Sequence, residues 1–137
     1  TRGGTPQLYL QTALPRLVPL AVSGDGFINV LDHLLSAATL SDDGLLLIDE
    51  IDTGLHHSAQ TATWKSLLEY ASEEGPQIVA TTHSYECVVA AARAAKARGK
   101  EESLAVVRLE RGDEAHNVVR LSVDEVLDFA ERGWEVR

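Results

Sequence analysis

The apolar residues of this chain fall into short runs separated by glycine, proline and acidic turns, and their period changes from run to run. Gln7-Leu8-Tyr9-Leu10 alternates polar and apolar and predicts a short strand. Leu17 to Val22 is apolar apart from Pro19 and predicts a second strand, which the proline confines to a sheet edge. Ser23-Gly24-Asp25-Gly26 reads as a turn. Phe27, Val30, Leu31, Leu34, Leu35 and Ala38 then follow the i, i+3, i+4 spacing of an amphipathic helix, with Asp25 placed to cap it. Ser41-Asp42-Asp43-Gly44 breaks the pattern.

Leu45-Leu46-Leu47-Ile48 is a continuous apolar run between turn signals, which predicts a strand buried on both faces, as in parallel sheets. Asp49-Glu50 ends it. A helix is predicted from Ser58 to Glu73, stopped by Gly75-Pro76, and a β-branched strand from Gln77 to Thr82. Ser84 caps an alanine-rich helix running to Arg98, where Gly99 closes it. Leu104 to Leu109 and Val118 to Leu121 alternate on either side of Arg111-Gly112-Asp113-Glu114 and predict a hairpin. Ser122 and Asp124-Glu125 open a last helix to Arg132, with Gly133 at its end. Strands separated by helices imply an α/β fold: a mostly parallel sheet with flanking helices and a C-terminal hairpin. In such sheets ligands bind at the carboxyl ends of the strands. Ser23 to Gly26, Asp49-Glu50 and Thr82-His83-Ser84 all fall at or beside such ends.

Composition narrows the class. The 137 residues make one domain, spanning 1–137. Twelve basic against 21 acidic side chains give a net charge of −9, which excludes a surface built to coat nucleic acid generally. No apolar run approaches the ~18 residues of a membrane span. The single cysteine, Cys87, excludes an internal disulfide and points to a reducing cytoplasm. The chain has no methionine and opens on Thr1-Arg2-Gly3-Gly4, so it is expected to be a piece of a longer protein.

The sharpest chemical signal is the apolar run that ends in two adjacent carboxylates. Along an extended strand the two side chains point to opposite sides, so one can hold a Mg²⁺ while the other orients a water. Alone, the pair is also what an acidic loop after a core strand looks like. One crossover later, His83 stands at the tip of the next strand, within reach of a phosphate held by the carboxylates. By itself it reads more readily as a helix-start or structural histidine. The two signals at one-crossover spacing favour the chemical reading.

Leu45 to Glu50 resembles the Walker B strand of the ABC-type ATPases, and Thr81-Thr82-His83-Ser84 resembles their switch, or H-loop, histidine. More narrowly, the run from Leu46 through Asp49, Glu50 and Asp52 to Gly54-Leu55-His56 looks like the LIDEIExGLH segment of the AAA-labelled ATPases related to the OLD and RecF groups. The resemblance covers the chain from about Leu17 onward and implies the C-terminal half of a P-loop NTPase-like domain. It implies that Asp49 coordinates the magnesium, that Glu50 polarises the hydrolytic water and that His83 contacts the γ-phosphate. It also implies that Ser23, Gly24 and Gly26 belong to the signature segment, which caps the nucleotide bound by the opposite subunit. Asp25 departs from the LSGGQ form by standing near its second glycine, and since a carboxylate facing a phosphate is unfavourable, Asp25 is expected to cap the helix instead. Leu55 is followed by His56-His57, where transport proteins have Leu-Asp. Adjacent histidines do not share a helix or strand face, which speaks against zinc there.

No Gly-x-x-x-x-Gly-Lys-Ser/Thr occurs in these residues, and Gly3-Gly4-Thr5 has neither a lysine nor a preceding strand. The resemblance therefore implies an ATP-binding domain without its Walker A lobe. ATP and Mg²⁺ are the expected ligands, with hydrolysis when that N-terminal lobe is supplied and none by the chain alone. The expected partners are the Walker A lobe, a second copy arranged head to tail, and DNA or an effector nuclease or toxin, with no membrane. DNA repair, phage defence and toxin regulation all suit it. Two other readings stand beside this one. A non-catalytic dimerisation or regulatory module would keep the site residues without turnover. A receiver-like signalling domain needs a lysine where the later strand instead runs Arg108-Leu109-Glu110, and an early acidic pair that is missing. Arg93, Lys96, Arg98 and Lys100 cluster at a helix end, where cations favour the helix dipole or, alternatively, contact DNA. Trp64, Trp134 and Cys87 read as packing residues.

Overall fold

The computed structural model describes residues 7–11, 15–71, 75–112 and 116–133. The roles read for Gly3-Gly4-Thr5, for Glu73, for the hairpin tip at Asp113-Glu114 and for Trp134 lie outside these residues.

Strand β1 (Tyr9–Leu10) pairs antiparallel with β2 (Val18–Pro19), and a single 3₁₀ turn over Leu20–Val22 leads to helix α1 (Asp25–Thr39). Pro19 ends β2 early, so the apolar run from Leu17 to Val22 is half strand and half turn. Strand β3 (Leu45–Ile48) pairs parallel with β4 (Gln77–Ala80), and α2 (His57–Tyr70) forms the crossover between them. Helix α3 (Tyr85–Ala97) follows, then the antiparallel hairpin of β5 (Val106–Arg111) and β6 (His116–Leu121), and α4 (Val123–Glu131). The described strands form three separate two-stranded sheets, one parallel and two antiparallel. The expected mostly parallel sheet is thus reduced to β3 and β4. Periodicity shows that a strand exists but not which strand it pairs with.

Two apolar clusters hold the layers together. In one, Ala37 of α1, Leu67 of α2 and Cys87 of α3 close on Ile48 and Ile51, with Leu46, Ile78 and Ala80 packed against them. In the other, Val89, Ala92, Ala94 and Ala95 of α3 meet Leu68, Leu121, Val123 and Val126. Helix α3 is buried on most of its circumference, and its alanines let α2 and α4 approach closely. Its Ser84 cap is as expected: the hydroxyl accepts the Cys87 N–H at 3.1 Å. Helix α4 opens on a full capping box between Ser122 and Glu125. The bonds from Ser122 hold the Glu125 carboxyl below its ordinary pKa.

The apolar run of β3 is not buried on both faces. Leu46 and Ile48 face the cluster, whereas Leu45 and Leu47 are 53% and 68% exposed and Val79 of β4 is 53% exposed beside them. Helices cover only one side of this sheet among the described residues.

The start of α1 is clamped onto the loop that follows β3. A Cβ built on Gly26 would lie 2.0 Å from the Gly54 carbonyl oxygen, and the Asn29 side-chain amide donates to the Thr53 carbonyl at 3.1 Å. Gly26→Ala must therefore move a backbone, and it is expected to cost about 2 kcal/mol of stability. Gly24→Ala meets open space but a φ of +91°, and its expected cost is about 1 kcal/mol. Urea denaturation of the two variants checks this, and a Gly26→Ala midpoint at the wild-type value would contradict the clamp.

Candidate functional site

Strand β3 delivers Asp49 and Glu50 to its carboxyl end, and β4 delivers Thr81, Thr82 and His83 to the same end of the parallel pair. The ladder continues past both strands. The Thr81 N–H donates to the Ile48 carbonyl at 2.9 Å, and the Ile51 N–H donates to the Thr81 carbonyl at 3.0 Å. The Thr81 hydroxyl donates to Asp49 Oδ1 at 2.5 Å and accepts the Glu50 N–H at 2.9 Å. One threonine thus binds both residues of the acidic pair.

Opposite-side projection along a strand does not describe that pair, because β3 ends at Ile48 and Glu50 has a φ of +48°. A non-glycine residue in this left-handed region costs of order 1–3 kcal/mol and persists where surrounding bonds fix it. Here the Thr81 hydroxyl holds its N–H, its carbonyl accepts the Thr53 N–H at 2.9 Å, and Oε2 accepts the Thr53 hydroxyl at 3.3 Å. The two carboxylates have different partners: Asp49 accepts the Thr81 hydroxyl and Glu50 accepts that of Thr53.

Thr82 makes a second bridge. Its hydroxyl donates to Asp52 Oδ1 and accepts the Ser84 N–H at 3.0 Å. His83, between Thr82 and Ser84, is exposed. Sequence reasoning missed both threonine bridges and Asp52. The available signal was two adjacent hydroxyls at the end of a strand one crossover from an acid-rich loop.

Ser23, Gly24 and Gly26 lie together in an open groove of about 470 Å³, with Phe27, Gly54 and Leu55 among its walls. Asp49, Glu50 and His83 are not part of that groove. Asp25 is the first residue of α1 rather than its cap: Gly24 occupies the cap position, with no side-chain cap bond. A carboxylate in the first turn still favours the helix dipole. The Ser23 hydroxyl donates back to the Leu20 carbonyl at 2.6 Å.

Most of the remaining described candidates have partners within the chain. His56 caps α2, its Nδ1 accepting the Ser58 N–H at 3.4 Å, and its ring lies 4.0 Å from that of His57. Among the described residues no group of three or more His, Cys, Asp or Glu could hold a metal. Lys96 pairs with Asp124 at 2.7 Å, Arg98 lies 3.8 Å from Glu69, and Lys100 donates to the Leu68 carbonyl at 3.1 Å. Three of the four clustered cations are thus engaged within the chain. The half-buried Trp64 donates its N–H to Sγ of the buried Cys87 at 3.3 Å, and burial pushes that thiol's pKa up. Among the described residues no helix is long and apolar enough to cross a membrane.

Comparison with known proteins places the chain among ATPase-related proteins. A protein of Helicobacter pylori described as an ATP/GTP phosphatase is 34% identical over 74 residues, which are 52% of this chain and 20% of that protein. The chain therefore spans about a fifth of that relative's length. A solved structure, reported as "Structural biochemistry of ATP-driven dimerization and DNA stimulated activation of SMC ATPases", matches with a TM-score of 0.63 over 95% of this chain and 73% of that one. At 15% identity, that match shows a shared fold. The family described as "AAA domain, putative AbiEii toxin, Type IV TA system" matches residues 15–88, which hold the groove, the acidic pair and the histidine alike. With more than half of its residues matched, this chain belongs to that AAA-domain family.

Proposed function

We propose that this chain supplies the hydrolytic half of an ABC-class ATPase site of the OLD/RecF-like type. The observation that carries the reading is the Thr81 junction, which fixes Asp49 and Glu50 at the tip of β3 beside the strand that presents His83. Asp49 is a hard oxygen donor at a strand end with lone pairs beyond the one that Thr81 uses, which suits Mg²⁺. Held by Asp49, that ion would supply positive charge to offset that of the phosphates. Glu50 would orient the attacking water and take its proton, and His83 would hydrogen-bond the γ-phosphate as charge shifts onto it.

The groove of Ser23, Gly24 and Gly26, which Asp25 also lines, does not include Asp49 or Glu50 of its own chain. That separation supports a head-to-tail pair of copies in which the signature of one meets the nucleotide of the other. The exposed Leu45, Leu47 and Val79 support cover by an N-terminal Walker A lobe, which would bring the lysine and backbone N–H groups for the β- and γ-phosphates. The likeness in fold to the structure reported for ATP-driven dimerisation and DNA-stimulated activation supports coupling of nucleotide-driven dimerisation to DNA. The toxin named in the family description supports coupling to an effector instead. We place this work in the cytoplasm.

With the Walker A lobe present, Glu50→Gln is expected to keep ATP affinity within about threefold while kcat falls at least about 100-fold. An unchanged kcat removes Glu50 from catalysis. His83→Ala should slow turnover about 10- to 100-fold, more than it weakens binding. Loss of affinity with turnover intact would make His83 a binding residue. The 137-residue chain alone should bind ATP–Mg²⁺ more weakly than about 1 mM by calorimetry and release no phosphate. Without a phosphate loop, its net charge of −9 opposes a polyphosphate. Micromolar binding would point to a different nucleotide site.

A further inference from the structure

The Thr82 hydroxyl has one hydrogen to give and lone pairs to accept with. It gives the hydrogen to Asp52 Oδ1 and accepts the Ser84 N–H at 3.0 Å. The second bond closes a side-chain turn whose central residue is His83. The first fixes the direction of the hydroxyl, so that a lone pair faces Ser84. His83 is exposed, so little packing orients its side chain, and the closed turn constrains its backbone. Asp52 is in turn fixed by its own loop, where its carbonyl accepts the Leu55 N–H at 2.9 Å. That same loop carries Glu50, which Thr53 holds.

We propose that Asp52 is a positioning residue for His83: acting through the Thr82 hydroxyl, it sets the histidine's orientation relative to the loop that holds Glu50. This rests on the reading of His83 as the γ-phosphate contact. Asp52 touches no reacting atom. Its removal should release the Thr82 hydroxyl, loosen the Ser84 N–H and let His83 turn away during phosphoryl transfer, with ground-state binding little changed.

Two measurements test this. In the protein with its Walker A lobe, Asp52→Ala and Thr82→Val should each lower kcat about 10-fold or more with KM within about twofold, and the double variant should be no worse than either single one. Asp52→Asn and Thr82→Ser, which keep the acceptor and the hydroxyl, should restore kcat to within about threefold of wild type. A wild-type kcat in Asp52→Ala, or additive losses in the double variant, overturns the proposal. The second measurement needs no ATP. In the 137-residue chain, Asp52→Ala should speed amide hydrogen exchange at Ser84 about 10-fold, while Ala92 to Ala95 in α3 keep their protection. Unchanged Ser84 exchange overturns the proposal even if hydrolysis is lost. If the wild-type protein shows no hydrolysis, the ATPase reading falls, and Ser84 exchange still decides whether Asp52 holds the turn.

Discussion

Everything at the candidate site depends on β3 and β4 running parallel and in register to their last residues. Only with Ile48 beside Ala80 does Thr81 arrive opposite the acidic pair, and only then can one side chain bond both Asp49 and Glu50. A slip of one residue would turn Thr81 to the other face and put Thr82 in its place. The register is fixed from behind. Leu46 and Ile48 on one strand, and Ile78 and Ala80 on the other, enter the same apolar cluster, and the outward residues Leu45, Leu47 and Val79 cannot take their place without exposing the core.

The second constraint is the small size of the side chains on α3. Seven of its residues are buried, five of them alanines, so α2 and α4 can close on it from different sides. The chain thereby places the start of α3, and with it Ser84 and His83, at a fixed height above the strand ends. A larger residue at Ala92 or Ala94, both without exposed surface, would push α3 outward and carry the histidine with it. Burial in this helix is thus a positional requirement of the site as much as a source of stability.

The elements themselves were legible where the pattern was local. The cap of α3 at Ser84, the hairpin and the capping box of α4 each follow from a few neighbouring residues. The caps stand where expected, while the first hairpin strand starts two residues late and runs through Arg111, which the sequence reads as turn. Pairing was less legible. Gln7 to Leu10 reads as a strand, but nothing in it says that it joins Val18 in a small antiparallel sheet of its own. Nor could four leucine and isoleucine residues disclose that one face of β3 stays open. A continuous apolar run records that both faces are apolar, not that this chain supplies both covers. The site was legible as residue types at a spacing. Its wiring through Thr81, Thr82, Asn29 and Asp52 was not, because hydroxyl and amide bonds between segments about 30 residues apart leave no local pattern.

The alternation argument for the acidic pair rests on an extended backbone that the chain does not keep there. It treated Glu50 as part of the strand, whereas the chain has already turned into the left-handed region there. Glycine would adopt that φ without strain, so a carboxylate at this position is held against a local preference. The bonds that hold it come from two segments, the end of β4 through Thr81 and the next loop residues through Thr53, and the same loop is gripped by α1 through Asn29 and the Gly26–Gly54 approach. Strain at Glu50 is therefore balanced by contacts reaching three elements, and it persists only while all of them stay in place. The loop from Asp49 to His56 thus joins the start of α1, at Gly26 and Asn29, to the end of β4, at Thr81 and Thr82.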